Sequence, residues 1–365
     1  MTEHNDSSQP NKFTIFGQDI DVIMAVFANI LSWFVHCFCP WILPSLLPTI
    51  EEEDTSESPS PSQTKCVAIG RPGGKEQLRI ITLKPGYCTA GYNLGRSFVD
   101  MSDPKTIPKD TMVVRISSFS INFADCAIRW GLYESANTFV GWPIVPGFDI
   151  AGIVEHVSQE NQGNFKVGDK VYGATFFGGY STRVLVPEAQ LRKIPSNLSF
   201  SQAAAIPAVS LTALYTLHLG GRFPPTKCIP NNSSILIHSA AGGVGSMLVQ
   251  MSKILGLSPV VGVVGRTSKV DAAKQLKCDI VIDKSKEDLW KMARLASPNG
   301  YGIIADANGV STLKKSFASL AQTGRLIVYG FHSNLPMGND MLNPIEWMKM
   351  IWKMTKMPKF DGKFR

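Results

Sequence analysis

Two rhythms of apolar and polar positions divide the chain. From Lys65 to Pro187 the apolar residues come in short runs: KCVAIG (65–70), LRIITL (78–83), TMVVRISSFSI (111–121), IAGIVEHV (150–157), KVYGAT (170–175) and YSTRVLVP (180–187). Turn residues separate them, with VGD (167–169) the clearest example. Many short strands with turn signals predict a small barrel or a partly open sheet. After Pro195 the texture changes. SQAAAIPAVSLTALYTLHLGG (201–221) is Ala/Leu-rich and reads as helix with a break at Pro207. Strands and helices then alternate: SSILIH, helix 244–256, PVVGVV, helix 269–277, DIVID, helix 286–296, GIIADA, helix 311–321 and RLIVYG. Five strands in this alternation predict a parallel, doubly wound sheet, so the fold class is α/β with a β-rich domain in front.

A third pattern precedes both. No Asp, Glu, Lys or Arg occurs from Val22 to Ile50. That run is long enough to cross a bilayer, which takes about 20 residues. Asn29, Ser32 and His36 dilute it, and Pro40, Pro44 and Pro48 interrupt its second half. It therefore reads as a segment that spans a membrane or lies in its interface, the other reading being a buried core helix. The acidic, Ser/Pro-rich stretch EEEDTSESPSPSQTK (51–65) follows as a solvated linker. The expected organisation is an extension over 1–64, a β-rich domain over 65–195 and a parallel-sheet domain over 196–365.

Composition sharpens this division. The 365 residues are 44% hydrophobic and 18% charged, enough to bury a sizeable core. The net charge is +7, yet residues 1–64 carry one Lys against nine acidic residues, so residues 65–365 carry +15. A basic globular part suits a phosphorylated cofactor or an anionic membrane surface, and no motif here resembles a nucleic-acid module. The cysteines Cys37, Cys39, Cys66, Cys88, Cys126, Cys228 and Cys278 form no C-x-x-C pair and no zinc spacing, which reads as reduced thiols on the cytosolic side.

The chemistry starts at HSAAGGVGS (238–246). Ala240-x-Gly242-x-x-Gly245 follows a strand and opens a helix, the context a dinucleotide fingerprint requires. Ala240, Gly242, Gly243, Val244 and Gly245 are the expected cradle, with a pyrophosphate on the helix's N-terminal amides. A cofactor with a free ribose 2′-hydroxyl wants an acid at the end of the second strand. Here no Asp or Glu stands between Lys253 and Asp271, and Arg266, Thr267, Ser268 and Lys269 cluster there instead. Two cations and two hydroxyls suit a 2′-phosphate, so Arg266 and Lys269 point to NADPH rather than NADH.

Three stretches read together, INFADCAIRWGLY (121–133), VPGFDIAGIVEHV (145–157) and HSAAGGVGS, resemble the medium-chain dehydrogenase/reductase superfamily in its zinc-free, zeta-crystallin-like quinone oxidoreductase branch. DANG (306–309) and GRLIVYGFHSNLP (324–336) resemble the vesicle amine transport protein subgroup. The resemblance runs from about Lys65 to Phe360. It implies a GroES-like catalytic domain followed by a Rossmann domain. The superfamily's zinc alcohol dehydrogenases place a Cys where Asn122 stands and Gly-His-Glu where Gly147-Phe148-Asp149 stands. Asn and Phe cannot replace those ligands, so no metal is expected.

What the resemblance implies is hydride transfer from NADPH to a small-molecule electrophile, a quinone, an enone or an enoyl thioester. Asn122 matches an Asn that hydrogen-bonds at the nicotinamide and substrate. Tyr133, in Gly-x-Tyr, matches a tyrosine that steadies the developing enolate, although Glu134 replaces the usual Pro. Thr212 matches a Thr beside the nicotinamide ribose, and Asn308, Gly330 and Phe331 stand at strand ends facing the cofactor. His332 reads as a proton donor or as a surface-loop histidine. Lys277-Cys278-Asp279 replaces Gly-Ala-Asp, and Lys284 replaces a Tyr near the adenosine phosphate. The resemblance admits a homodimer and implies further chain after Arg365, so the sequence reads as shortened. Within NPIEWMKMIWKMTKMPKF (343–360), Lys349, Lys353 and Lys356 share a helical face opposite Trp347, Ile351 and Met354, which suits an anionic membrane or a packing partner. Two functions remain: a membrane-tethered NADPH-dependent oxidoreductase facing the cytosol, or a membrane-associated nucleotide-binding protein with little catalysis.

Overall fold

The computed structural model describes residues 63–92, 95–102, 107–158, 164–221 and 233–334, and a two-residue bridge between Thr14–Ile15 and Gln18–Asp19. The expected membrane segment 22–50, nearly all of the linker and the helix at 343–360 lie outside the described residues. Among the described residues, no helix is long and apolar enough to cross a membrane.

The β-rich half contains β1 (Lys65–Ile69), β2 (Leu78–Thr82), β3 (Tyr87–Ala90), β4 (Phe98–Asp100), β5 (Thr111–Phe119), β6 (Asp149–Val157), β7 (Lys170–Ala174), β8 (Arg183–Pro187) and β9 (Leu191–Lys193). Strands β1 and β2 pair as a hairpin, and the other seven form one sheet in the order β9-β7-β6-β5-β8-β3-β4. Alternate residues of β5, β6 and β8 (Met112, Val114, Ile150, Val154, Val184 and Val186) meet in a common core. The sequence pattern anticipates six of these strands. It misses β3, β4 and β9, which are three or four residues long, too short to show a period of two. It also misses α1 (Phe123–Arg129) and α2 (Glu134–Phe139), each under two turns.

The second half is the expected parallel sheet. It comprises β10 (Ile235–His238), β11 (Val260–Val264), β12 (Ile280–Asp283), β13 (Tyr301–Asp306) and β14 (Leu320–Val328) in the order β12-β11-β10-β13-β14, every pair parallel. The order reverses between β10 and β13. Helices α3 (Phe200–Ala204), α4 (Pro207–Leu219), α5 (Gly243–Ile254), α6 (Val270–Gln275), α7 (Leu289–Ala296) and α8 (Leu313–Ala318) accompany it. Ile235 and Ile237 pack with Leu248 and Val249 of α5 and Ala213 and Leu217 of α4. Leu236, facing the other way, packs with Val261, Ile282, Leu289 and Ala293. Both faces of β10 are therefore covered, which is why the strand reads as an unbroken apolar run.

The break expected at Pro207 is present: α3 ends at Ala204 and Pro207 opens α4, where its missing N–H is no loss. One difference from the sequence pattern has a physical cause. Helix 311–321 is shorter than expected: α8 stops at Ala318, and Leu320 already pairs with Tyr301. Leu320 packs into the core beside that tyrosine. Gly300, at φ +85°, lets the chain come close there, since a side chain would press on the Ala321 amide.

Candidate functional site

The two halves meet at the N-terminus of α4. Asp149, the first residue of β6, is fully buried, and its carboxylate accepts three hydrogen bonds. The Ala208 amide, in the first turn of α4, donates at 2.7 Å to Oδ1. The Asn122 side-chain amide donates at 2.8 Å to Oδ2, which the Ser120 hydroxyl also reaches. A carboxylate at a helix N-terminus is favoured by the unpaired amides and the helix dipole. Asn122 and Asp149 are thus in direct contact. Among the described residues, no three His, Cys, Asp or Glu side chains are grouped to hold a metal ion.

Asn122 is also the N-cap residue of α1, its backbone amide donating at 2.7 Å to Asp125 Oδ2. The Asp125 carboxylate further accepts from the Tyr180 hydroxyl at 2.7 Å and from the Gly147 amide at 3.2 Å. Burial pushes Asp125 above the usual carboxylate range against those bonds, and burial with the adjacent Asp125 pushes the Tyr180 hydroxyl up. Gly147, at φ +99°, allows this approach, since a side chain would strike Tyr180. Tyr133 lies apart from these bonds. Its ring packs 5.6 Å from that of Phe148 and edge-on to Phe177 at 6.1 Å. Burial raises its hydroxyl pKa too, with Asp125 adding to the shift.

The glycine turn stands on the other side of α4. Gly242 is the extended N-cap of α5. Gly243 is exposed and lies against Val209, whose Cγ1 would be 2.9 Å from a Cβ placed there. Ala240 and Gly245 are buried, and any side chain on Gly245 would collide with the Ser239 carbonyl. Those two set the close approach of helix and strand. The Gly242 amide donates at 2.8 Å to the Ser239 carbonyl, so Gly243, exposed at the helix start, and Val244 offer the first amides of the helix to a ligand. Thr212 follows Val209 by three residues on the same face of α4, its hydroxyl donating at 2.7 Å to the Ala208 carbonyl.

Arg266 and Lys269 follow the end of β11, both exposed. Lys284 follows the end of β12, and its Cε would lie 3.5 Å from a Cβ at Gly265. The structure thus gathers three cations at neighbouring strand ends. One expected contributor is redirected: the Thr267 hydroxyl donates at 2.6 Å to Asp283, so Ser268 alone keeps the role foreseen for two hydroxyls.

Asn308 is buried at the end of β13. The loop after β14 closes over it. A side chain at Gly330 would collide with the Ala307 carbonyl, Phe331 is half-exposed beside Gly309, and the Ser333 amide donates at 3.1 Å to the Asn308 carbonyl. His332 packs edge-on to Phe123, ring centroids 6.3 Å apart, so this loop touches the residue after Asn122.

Sequence reasoning missed the roles of Ser120, Asp149 and Asp125 as the hydrogen-bonded frame around Asn122, and those of His238, Asp306 and Ser316 around Asn308. One signal was legible: His238 is a lone polar residue closing the apolar run ILIH just before the glycine turn.

A β-rich GroES-like half followed by a parallel-sheet half with a glycine turn at its first crossover defines a medium-chain dehydrogenase/reductase architecture. Residues 108–196 match the family described as alcohol dehydrogenase GroES-like domain, and residues 243–357 match zinc-binding dehydrogenase. Human quinone oxidoreductase is 30% identical over 246 residues, 66% of this chain and 70% of that protein. The chain belongs to the zinc-free, quinone oxidoreductase-like group of this superfamily. A zebrafish (Danio rerio) synaptic vesicle membrane protein VAT-1 homolog is 32% identical over 66% of this chain, and a tomato (Solanum lycopersicum) 2-methylene-furan-3-one reductase 28% over the same share. Those two matches span 47% and 61% of the relatives' own length. The Pseudomonas syringae quinone oxidoreductase structure superposes with TM-score 0.61 at 31% identity, covering 78% of each chain. The Escherichia coli quinone oxidoreductase complexed with NADPH does so with TM-score 0.61 at 26% identity, covering 79% of this chain and 78% of that one.

Proposed function

We propose that the protein is an NADPH-dependent, zinc-independent oxidoreductase that reduces a quinone, an enone or a related activated alkene. The observation that carries this reading is the placement of Arg266, Lys269 and Lys284 at neighbouring strand ends beside an open glycine turn. That arrangement suits a dinucleotide bearing an extra phosphate on its adenosine ribose. The residues fit the cofactor in two further ways: Gly243 is exposed at the helix start, and a buried amide oxygen of Asn308 has no partner among the described residues. The names of several relatives support the chemistry: quinone oxidoreductase, 2-methylene-furan-3-one reductase and NADPH-dependent alkenal/one oxidoreductase.

When bound, NADPH supplies a hydride to the electrophilic carbon of the substrate. Gly243 and Val244 hold the pyrophosphate, with Ala240, Gly242 and Gly245 shaping the turn behind them. Arg266, Lys269 and Lys284 hold the ribose phosphate. Thr212, Asn308, Gly330 and Phe331 border the nicotinamide half. Asn122, fixed by Asp149 and Ser120, lines the reacting face. Tyr133, kept protonated by burial, holds a proton for the oxygen on which charge develops. Exposed Ile121, Phe123 and Phe331 give this region an apolar rim suited to an unsaturated carbonyl compound or quinone. The catalytic division falls at 65–195 and the nucleotide-binding division at 196–365. Attachment to a membrane through residues 22–50, the catalytic part facing the cytosol, and pairing as a homodimer complete the proposal.

A second reading has a specific observation behind it. The Asn122 amide nitrogen is committed to Asp149 and Ser120, and Tyr133 sits in an aromatic cluster. A protein that binds the nucleotide without turnover would carry the same features. Fluorescence titration of the full chain with NADPH, with NADH as control, followed by turnover with a simple quinone and a simple enone, separates the two. NADPH binding with turnover supports the reductase, and Tyr133→Phe should then lower kcat. Binding without turnover supports the second reading, and absence of NADPH binding overturns both.

A further inference from the structure

A set of buried polar side chains lies at the ends of β10 and β13, outside the residues assigned above except for Asn308. At its base is Asp306, with no exposed surface. Its Oδ1 accepts the amides of Asn308 at 2.8 Å and Gly309 at 3.1 Å. Its Oδ2 accepts the hydroxyls of Thr312 at 2.7 Å and Ser316 at 2.8 Å. A carboxylate this deep needs those hydrogens.

The single hydroxyl hydrogen of Ser316, directed to Asp306, leaves its oxygen to accept from His238 Nε2 at 3.2 Å. Burial, with Lys284 adding to it, holds the His238 pKa down against the pull of Asp306, so the ring is neutral and carries one hydrogen. With that hydrogen on Nε2, Nδ1 is an acceptor, and it takes the Asn308 Nδ2 hydrogen at 3.2 Å. The orientation of the Asn308 amide therefore follows from Asp306 through three hydrogen bonds relayed by Ser316 and His238. What remains over is Asn308 Oδ1, buried and without a partner among the described residues.

The location of that oxygen gives its meaning. Strands β10 and β13 flank the point where the sheet order reverses, the crevice across which a dinucleotide lies. The cations at the ends of β11 and β12 draw the adenosine half to one side. The nicotinamide half then extends over β13 and β14, toward the loop that touches Phe123 beside Asn122. Resting on the cofactor assignment above, we infer that Asn308 Oδ1 accepts a hydrogen bond from the carboxamide N–H of the bound nicotinamide, and that His238 is the positioning residue that turns this oxygen toward it.

The test uses the full chain and three probes: NADPH, its reduced 3-acetylpyridine analogue, which lacks the amide hydrogens, and 2′,5′-ADP, which lacks the nicotinamide half. Wild type should bind NADPH about tenfold more tightly than the acetylpyridine analogue, the size expected of one buried hydrogen bond. Asn308→Ala should weaken NADPH by about that factor and leave the analogue and 2′,5′-ADP unchanged, the latter also reporting an intact fold. His238→Leu, which removes the orienting acceptor, should narrow the discrimination, and His238→Gln, which keeps one, should retain most of it. Equal loss for NADPH and its analogue, or no discrimination in wild type, overturns the inference while leaving NADPH binding in place. Wild type binding neither NADPH nor 2′,5′-ADP overturns the cofactor reading and this inference together. Because the wild-type comparison needs no variant, the test stands even if a substitution prevents folding.

Discussion

The side-chain amide of Asn122 donates to the carboxylate of Asp149 across 2.8 Å, and the same carboxylate holds the first turn of α4 through the Ala208 amide at 2.7 Å. One buried acid therefore ties the Asn122 end of α1 in the β-rich half to the helix that packs on the glycine turn. Asp149→Ala removes the acceptor from three donors at once. Each buried donor left unpaired costs about 1–3 kcal/mol, and the donors here relax partly into water, so a loss of about 2–4 kcal/mol is expected. Asp149→Asn, which keeps one carbonyl oxygen, should cost about half of that. Urea denaturation of the full chain, read at the midpoint for both variants, checks the ranking. Equal and negligible shifts would show that the two halves do not depend on this carboxylate.

Lys277 sits at φ +70° after the last turn of α6. That is the left-handed region, where a side chain is disfavoured and glycine is the common choice just past a helix end. A non-glycine residue there carries local backbone strain. Lys277→Gly should raise stability by about 0.5–1 kcal/mol, the relief of strain being partly offset by the freer unfolded chain. In a thermal melt this is a gain of about 1–3 °C. Lys277→Ala, with a Cβ still present, should give no such gain.

The parallel sheet was legible in the sequence because buried parallel strands read as unbroken apolar runs, and VVGVV is buried at every position. The glycine turn was legible because only small residues fit where Gly245 meets the Ser239 carbonyl. The short helices α1 and α2 were not, since six or seven residues cannot display a 3.6-residue period. Nor was the frame around Asn122. Asp149 reads in sequence as the remnant of a metal ligand, and its real partners, Ser120, Asn122 and Ala208, are 27 to 59 positions away. Asn308 could be placed at a strand end by motif, but the orientation of its amide depends on His238 across 70 positions. Long-range polar pairing leaves no periodic trace, and that is where sequence reasoning stopped.

The three cations at the strand ends should decide which nicotinamide nucleotide binds. Arg266 and Lys269 are exposed, so each contact with a phosphate is screened and worth about 1 kcal/mol, roughly fivefold in affinity. Arg266→Ala and Lys269→Ala should each weaken NADPH by about that factor and leave NADH unchanged. Lys284→Ala should act in the same direction. The wild-type preference for NADPH should also shrink as salt is raised toward 1 M, where the screening length falls to about 3 Å. Isothermal titration at two salt concentrations measures both effects. A loss of NADH affinity equal to that of NADPH would place these side chains away from the ribose phosphate.

His238 should make the folded state sensitive to acid. Its pKa is lowered chiefly by burial, with Lys284 acting in the same direction and Asp306, 3.7 Å from Nε2, opposing. In the unfolded chain the imidazole takes its ordinary value of about 6.5. Below that pH the unfolded chain therefore binds a proton at His238 that the folded chain does not, and stability falls as pH falls. Above it both states are neutral at this position, and the contribution is fully present. Protonation would also place a second hydrogen on Nδ1, facing the one that Asn308 already directs there, so the relay that orients the Asn308 amide fails along with the stability. Urea midpoints of wild type should accordingly drop between pH 7.5 and 5.5. His238→Gln, which keeps hydrogen-bonding groups but does not titrate in that window, should show a flatter profile. Parallel profiles for the two proteins would mean that the imidazole binds its proton as readily inside the fold as outside it, and that the neutral relay from Asp306 to Asn308 is not what the folded chain maintains.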